Sequence, residues 1–200
     1  MSQNRLYPIF LKLERLHTLI VGAGNVGLEK LEALINNAPE ARITIVADLI
    51  DQRVANIVLS KPNINIIQRK FFSDDLRGKD VVILATDNPE LHKKIVRETR
   101  QKNILTNVAD TPDLCDFYLG SVVQKGDLKI GISTNGKSPT LAKRLRELFT
   151  EIFPDEIQTL LDNLHTYRNQ LKGDFEHKVN ALNNLTEQVF HKKEKERSEI

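Results

Sequence analysis

Two hundred residues leave room for one domain of ordinary size and an appendage, and 40% hydrophobic with 28% charged residues is a composition that builds a core. The 29 basic and 27 acidic residues leave a net charge of +2, too balanced for a dedicated nucleic-acid binder, and the single cysteine, Cys115, excludes an internal disulfide or a Cys-rich zinc site. No apolar run approaches the roughly 18 residues of a membrane span, and the first residues lack the charged start and apolar core of a secretory signal, so a soluble cytoplasmic protein without membrane or nucleic-acid partners is expected.

In chain order, residues 17–22 form a short apolar, β-branched run ending at glycine, and 25–37 place Leu28, Leu31, Leu34 and Ile35 at helical spacing. Residues 42–47 read as a second strand and 51–60 as a helix with Val54, Ile57 and Val58 inward. Residues 63–67 alternate as a weaker strand, and 80–86 are the most apolar strand, suited to the middle of a parallel sheet. Asn88-Pro89-Glu90 combines a cap, a first-turn proline and an acid at the positive end, so a helix runs from there to about Arg100. Residues 104–107 are a fifth strand. The β-α-β-α-β-β-α-β order predicts an α/β, doubly wound parallel sheet of the Rossmann type.

Beyond Cys115, residues 117–124 and 128–133 read as a hairpin around Lys125-Gly126-Asp127. Ser138-Pro139 starts a helix carrying Leu141, Leu145, Leu148 and Ile152, and Pro154 breaks it. Leu160, Leu161, Leu164 and Tyr167 mark the next helix. Gly173-Asp174 opens a last one with Phe175, Val179, Leu182, Leu185 and Val189, before the mixed-charge tail 191–200. The expected division is a dinucleotide-binding domain at 1–115, a hairpin and helix at 116–153, and a helical domain at 154–200.

Gly22-Ala-Gly24-Asn25-Val26-Gly27 is GxGxxG between strand and helix. The first glycine permits the tight turn, the second lets a pyrophosphate approach the backbone, and the third lets helix and strand pack closely. Asp48, 21 residues after Gly27 and expected to end the second strand, suits the ribose hydroxyls and would repel a 2′-phosphate, favouring NAD. The alternative is a plain tight turn with Asp48 capping the following helix.

Residues 131–138 match GxxxxGK[ST], but no apolar strand ending in aspartate follows to hold a metal, and the preceding strand looks like the return of a hairpin. The run reads better as an anion-binding helix start. Lys137, Lys143, Arg144 and Arg146 follow with no acid between them, which suits a polycarboxylate. A solvated basic helix face is the alternative. The five histidines, His17, His92, His165, His177 and His191, show no ligand spacing, so no protein metal site is expected, and Cys115 reads as a packed residue.

Tyr7-Pro-Ile-Phe-Leu, the 22–30 turn GAGNVGLEK, Ala85-Thr86-Asp87-Asn88, Asn107-Val-Ala-Asp110 and the 131–146 run GISTNGKSPTLAKRLR together resemble the precorrin-2 dehydrogenase family, the N-terminal type of siroheme synthase. The resemblance covers residues 6–154 in order. It implies NAD-dependent oxidation of precorrin-2, a tetrapyrrole with eight carboxylates, to sirohydrochlorin, with Fe2+ then inserted as a substrate in some members. It also implies a homodimer formed around the hairpin. Asp110 matches the aspartate to which proton removal and chelation are attributed in that family. The 85–88 turn lines the nicotinamide side through Thr86 and Asp87, or is an ordinary cap at Asn88. Thr134, Asn135, Gly136, Lys137, Ser138 and Arg144 are the expected substrate contacts. Two departures are Thr134, where some relatives have serine, and Gly120, where proline is frequent. A rival reading is an NAD-sensing module without catalysis, which would need neither Asp110 nor the basic segment.

Overall fold

The computed structural model describes residues 4–172 and 175–197. The helix start expected at Gly173-Asp174 and the end of the tail, 198–200, lie outside the described residues, as do the side chains of Phe175 and Val189. The chain forms two compact units, Met1–Val122 with Gly131–Lys143, and Val123–Ile130 with Arg144–Ile200.

The first unit is built from β1 (His17–Ala23), α1 (Asn25–Asn37), β2 (Arg42–Ile50), α2 (Gln52–Leu59), β3 (Ile64–Gln68), β4 (Val81–Leu84), α3 (Pro89–Gln101) and β5 (Leu105–Val108). The five strands pair in parallel in the order β3-β2-β1-β4-β5. Successive strand side chains point to opposite faces, so β1 divides its own residues between two cores. Ile20, with Ile43, Ile45 and Ile83, packs on Leu28, Leu31 and Leu34 of α1 and Val54 of α2. Leu19 and Val21, with Val46, Val82 and Leu84, pack on Ile95 and Val96 of α3. Each fully buried aliphatic side chain contributes about 1.5–3 kcal/mol, and covering both faces is what a parallel sheet requires.

Two strand ends of this sheet lie two or more residues from expectation, the others shifting by one at most, and both differences arise at Gly22. β2 continues past Ala47 to Ile50, because the pairing shifts between Val21 and Ala23 and resumes as Ala23 opposite Ile50. Asp48 therefore lies within the strand, and Asp51 caps α2 by accepting from the Arg53 N–H at 2.8 Å. β4 stops at Leu84, where the chain turns over Gly22.

The hairpin strands are β6 (Ser121–Lys125) and β7 (Leu128–Ile132). The first begins four residues later than the pattern suggests. Phe117 and Leu119 instead pack, half-buried, on the α1 side of the sheet, and the Phe117 carbonyl accepts from Asn107 Nδ2 at 2.9 Å. At Gly120 a Cβ would lie 2.7 Å from the Ile132 carbonyl oxygen, so glycine suits this close approach between backbones.

α4 (Pro139–Ile152) runs across the boundary between the units. α5 (Ile157–Gln170) and α6 (Phe175–Arg197) belong to the second. Within that unit Gln158 holds the hairpin tip, accepting from the Asp127 N–H at 2.7 Å and donating to its carboxylate at 3.1 Å. Lys125 pairs with Asp155. Leu160, Leu161 and Leu164 are half-buried, whereas Leu141, Leu148 and Ile152 of α4 are exposed.

Candidate functional site

The strand order reverses between β1 and β4, and ligands of doubly wound sheets bind beyond the carboxyl ends of the strands at such a point. Four turns converge there in sequence terms: Gly22 to Asn25 after β1, Asp51 after β2, Ala85 to Asn88 after β4, and Ala109 to Thr111 after β5.

The three glycines have three distinct environments. Gly22 has φ +106, and a Cβ there would lie 2.4 Å from the Ala85 carbonyl oxygen. A Cβ on Gly27 would lie 2.3 Å from the Gly22 carbonyl oxygen, so α1 packs directly on the turn. At Gly24 a Cβ would meet nothing within 4 Å. The middle glycine is therefore not required by the protein's own packing; it leaves space above the backbone. Gly24 is also the N-cap of α1 and offers no side-chain acceptor. The N–H groups of Asn25, Val26 and Gly27 thus have no partner within the helix and carry its partial positive charge. These features fit a dinucleotide pyrophosphate.

Asp48 is exposed, and among the described residues its carboxylate accepts only from the N–H of Leu49, at 3.1 Å. Its alternative role as a cap is overturned, because Asp51 caps α2. Sequence reasoning missed Arg53. Its guanidinium donates to both oxygens of Asp51, at 3.0 and 2.6 Å, and to Asn25 Oδ1 in the glycine turn. Hydrogen bonding from Arg53 holds the Asp51 carboxyl down at about 2. No local spacing rule joins residues 25 and 53; the parallel pairing of β1 and β2 does.

In the β4–α3 turn Asn88 is the cap, its Oδ1 accepting from the Leu91 N–H at 3.0 Å. Thr86 is half-buried, and its hydroxyl lies 2.8 Å from Nε2 of the buried His92. Asp87 is exposed.

Asp110 is exposed two residues past β5, with φ +56, a left-handed conformation that Asp tolerates better than most residues. Among the described residues its carboxylate takes no protein hydrogen bond. Cys115 organises the loop that carries it. Sγ donates toward the carbonyls of Val108 and Thr111, at 3.2 and 3.4 Å, and accepts from the Val108 N–H at 3.2 Å. Burial pushes this thiol up, away from the reactive thiolate, in keeping with a packed residue.

The 134–138 loop closes on itself. Asn135 and Gly136 are both left-handed, at φ +54 and +73. Thr134 Oγ1 accepts from the Ser138 N–H and donates to the Ser138 carbonyl, both at 3.2 Å. Lys137 N–H reaches the Thr134 carbonyl at 3.1 Å, and Ser138 Oγ caps α4 at the Leu141 N–H at 3.2 Å. Lys143, Arg144 and Arg146 are exposed and form no ion pair among the described residues. Thr134 to Ser138 lie in the first unit and Arg144 in the second. Among the described residues no group of three or more His, Cys, Asp or Glu is placed to hold a metal ion, and no helix is long and apolar enough to cross a membrane.

Comparison with known proteins bears on this geometry. The family described as "Putative NAD(P)-binding" matches residues 9–121, and "Sirohaem biosynthesis protein central" matches residues 125–151. A siroheme synthase of Vesicomyosocius okutanii is 34% identical over 168 residues, covering 84% of this chain and 35% of that protein. A siroheme synthase of Psychrobacter cryohalolentis is 34% identical over 190 residues, covering 94% of this chain and 35% of that protein. The chain thus spans about a third of the length of these curated relatives. The solved structure of the precorrin-2 dehydrogenase SirC shares the fold, with a TM-score of 0.69 at 21% identity over 90% of this chain and 89% of that one. With the glycine geometry above and a match over more than half of its length, the chain belongs to the NAD(P)-binding family that covers residues 9–121.

Proposed function

We propose that this chain oxidises precorrin-2 to sirohydrochlorin, with NAD+ as the acceptor. The observation that carries the reading is the occurrence, at the carboxyl ends of β1 and β5 on either side of β4 in one parallel sheet, of a glycine turn left open at Gly24 and of Asp110, whose exposed carboxylate has no protein partner among the described residues. The siroheme synthase names of the relatives and the precorrin-2 dehydrogenase name of the structural neighbour support it.

Gly22, Gly24, Asn25, Val26 and Gly27 hold the pyrophosphate, and Asp48 accepts from the ribose hydroxyls, which excludes a 2′-phosphate. Thr86 and Asp87 border the nicotinamide. When bound, NAD+ supplies a ring carbon that takes up a hydride. Loss of that hydride from a substrate C–H must be matched by loss of a proton, and Asp110 is the base that removes it. Thr134 to Ser138 offer the substrate's carboxylates a helix start, and Lys137 and Arg144 offer cations. The substrate is a small-molecule tetrapyrrole, and the protein works in the cytoplasm as a homodimer. Insertion of Fe2+ into sirohydrochlorin is a further step proposed on the resemblance alone. The metal would enter as a substrate held by the tetrapyrrole nitrogens, and Asp110 would take up the two displaced protons one at a time, passing each to solvent.

The test is anaerobic incubation of the protein with precorrin-2 and NAD+. Appearance of the sirohydrochlorin spectrum together with NADH supports the reading. NAD+ binding without turnover would leave a sensor in its place. A parallel incubation with sirohydrochlorin and Fe2+, against a control without protein, tests the metal insertion.

A further inference from the structure

We propose that His92 is a positioning residue of the cofactor site. It fixes the Thr86 hydroxyl and, through it, the turn from Ala85 to Asn88 against the glycine turn. This rests on the reading that a dinucleotide binds there.

Position 92 lies on the inner face of α3, one turn before Ile95 and Val96, both fully packed in the core. An aliphatic residue would fill such a position without the cost of desolvating an imidazole. The residue is nevertheless only 4% exposed, and among the described residues the one polar contact of its ring is Nε2 to Thr86 Oγ1 at 2.8 Å. Burial holds the imidazole below its ordinary value, against the pull of the Asp87 carboxylate, so the ring is neutral near pH 7.

Thr86 connects three elements. Its Oγ1 also accepts from the Asn88 N–H at 3.4 Å, tying it to the start of α3. Its Cγ2 lies where a Cβ on Gly22 would come within 3.1 Å, so the methyl group rests on the first glycine of the turn. The preceding residue is hooked to β1 by the Ala85 N–H and the Val21 carbonyl, at 2.8 Å. A threonine with its methyl on Gly22 and its hydroxyl on His92 has a single allowed χ1 rotamer.

Proton bookkeeping adds a second role. Thr86 Oγ1 has one proton and two lone pairs, and the Asn88 N–H uses one lone pair. With the imidazole proton on Nε2, the histidine uses the other, and the hydroxyl proton is left to point at a cofactor oxygen. With Nε2 unprotonated, the hydroxyl proton is spent on the histidine. Bound dinucleotide therefore favours the Nε2–H tautomer.

The experiment is calorimetric titration of NAD+ into wild type, His92→Leu, His92→Gln and Thr86→Val, with unfolding temperatures measured in parallel. Wild type binds. His92→Leu keeps or raises its unfolding temperature and binds about five- to tenfold more weakly, the scale of one net hydrogen bond. His92→Gln, which can place a polar group near Nε2, recovers most of the affinity. Thr86→Val keeps the methyl contact, loses the hydroxyl and falls by a similar factor. In turnover with precorrin-2, His92→Leu raises KM for NAD+ and leaves kcat within about twofold, whereas general damage would lower kcat as well. If wild type fails to bind NAD+, the cofactor reading and this inference fall together. If wild type binds and Thr86→Val or a folded His92→Leu matches it, only the inference is overturned. Because Thr86→Val leaves the core residue in place, unchanged affinity in that variant overturns the inference even where His92→Leu does not fold.

Discussion

Replacing Asp110 with asparagine separates the chemistry proposed for this residue from its backbone. At φ +56 the position is left-handed, and Asn shares the tolerance of Asp for that region. The carboxylate has no protein partner among the described residues, so Asp110→Asn leaves no buried group unpaired, and its unfolding temperature stays within about 2 °C of wild type. Asp110→Ala is a poorer test. Alanine tolerates the left-handed backbone less well than Asp or Asn, at a cost of about 1 kcal/mol. In a protein of this size that lowers the unfolding temperature by about 2–4 °C. A positioned base contributes about 100- to 10,000-fold, so kcat of Asp110→Asn falls by at least about 100-fold, equivalent to about 2.7 kcal/mol of barrier. Affinity for NAD+ is unchanged, because the glycine turn after β1 is untouched. The assay follows NADH formation from precorrin-2 under anaerobic conditions, with NAD+ calorimetry alongside. Wild-type kcat in Asp110→Asn would refute the role of the carboxylate. A loss of NAD+ affinity matching the loss of rate would move Asp110 from catalysis to cofactor binding.

Gly24→Ala and Gly27→Ala should fail differently. Gly24→Ala meets open space and retains its unfolding temperature while losing NAD+ affinity, whereas Gly27→Ala drives a Cβ against the Gly22 carbonyl and destabilises the fold by about 1–3 kcal/mol, visible in a thermal melt. Asp48→Ala, at an exposed carboxylate that among the described residues bonds only to the Leu49 N–H, should narrow the preference for NAD+ over NADP+ in titrations without changing stability. Stability should also depend on pH in two windows. Burial lowers His92 against Asp87, and it lowers His17 together with Lys79 and Arg42 against Asp80. The unfolded chain therefore takes up protons first as pH falls through about 6.5, and stability declines from there until the folded-state values are passed. Asp51, held at about 2 by Arg53, adds a contribution that is full above about pH 4 and lost as pH falls toward 2. Melts from pH 8 to pH 2 check both, and a flat profile between pH 7 and pH 5 would contradict the histidine assignment.

The strands and helices of the sheet domain are legible because their information is local. The apolar run at 17–22 and the helical spacing of Leu28, Leu31 and Leu34 each mark an element whose buried face follows from period alone. Element ends are less legible where tertiary contact sets them. β2 extends to Ile50 because it pairs with Ala23 beyond the Gly22 irregularity, and β6 starts late because Phe117 and Leu119 are drawn onto the sheet. The same limit governs the site. The glycines carry their spacing in the sequence, so the turn is readable. Arg53 on Asn25 and His92 under Thr86 depend on strand pairing and on the rotation of α3, which leave no spacing signature. A lone histidine in a helix reads as ordinary until its neighbour across the turn is known.

The most direct measurement is the stoichiometry of the oxidation. Purified protein is incubated anaerobically with precorrin-2 and limiting NAD+, and NADH and sirohydrochlorin are quantified from their absorbance. The account predicts one NADH per sirohydrochlorin, with formation of both stopping when NAD+ is exhausted. Sirohydrochlorin formation at the same rate with no dinucleotide present, or tight NAD+ binding with neither product formed, would contradict it.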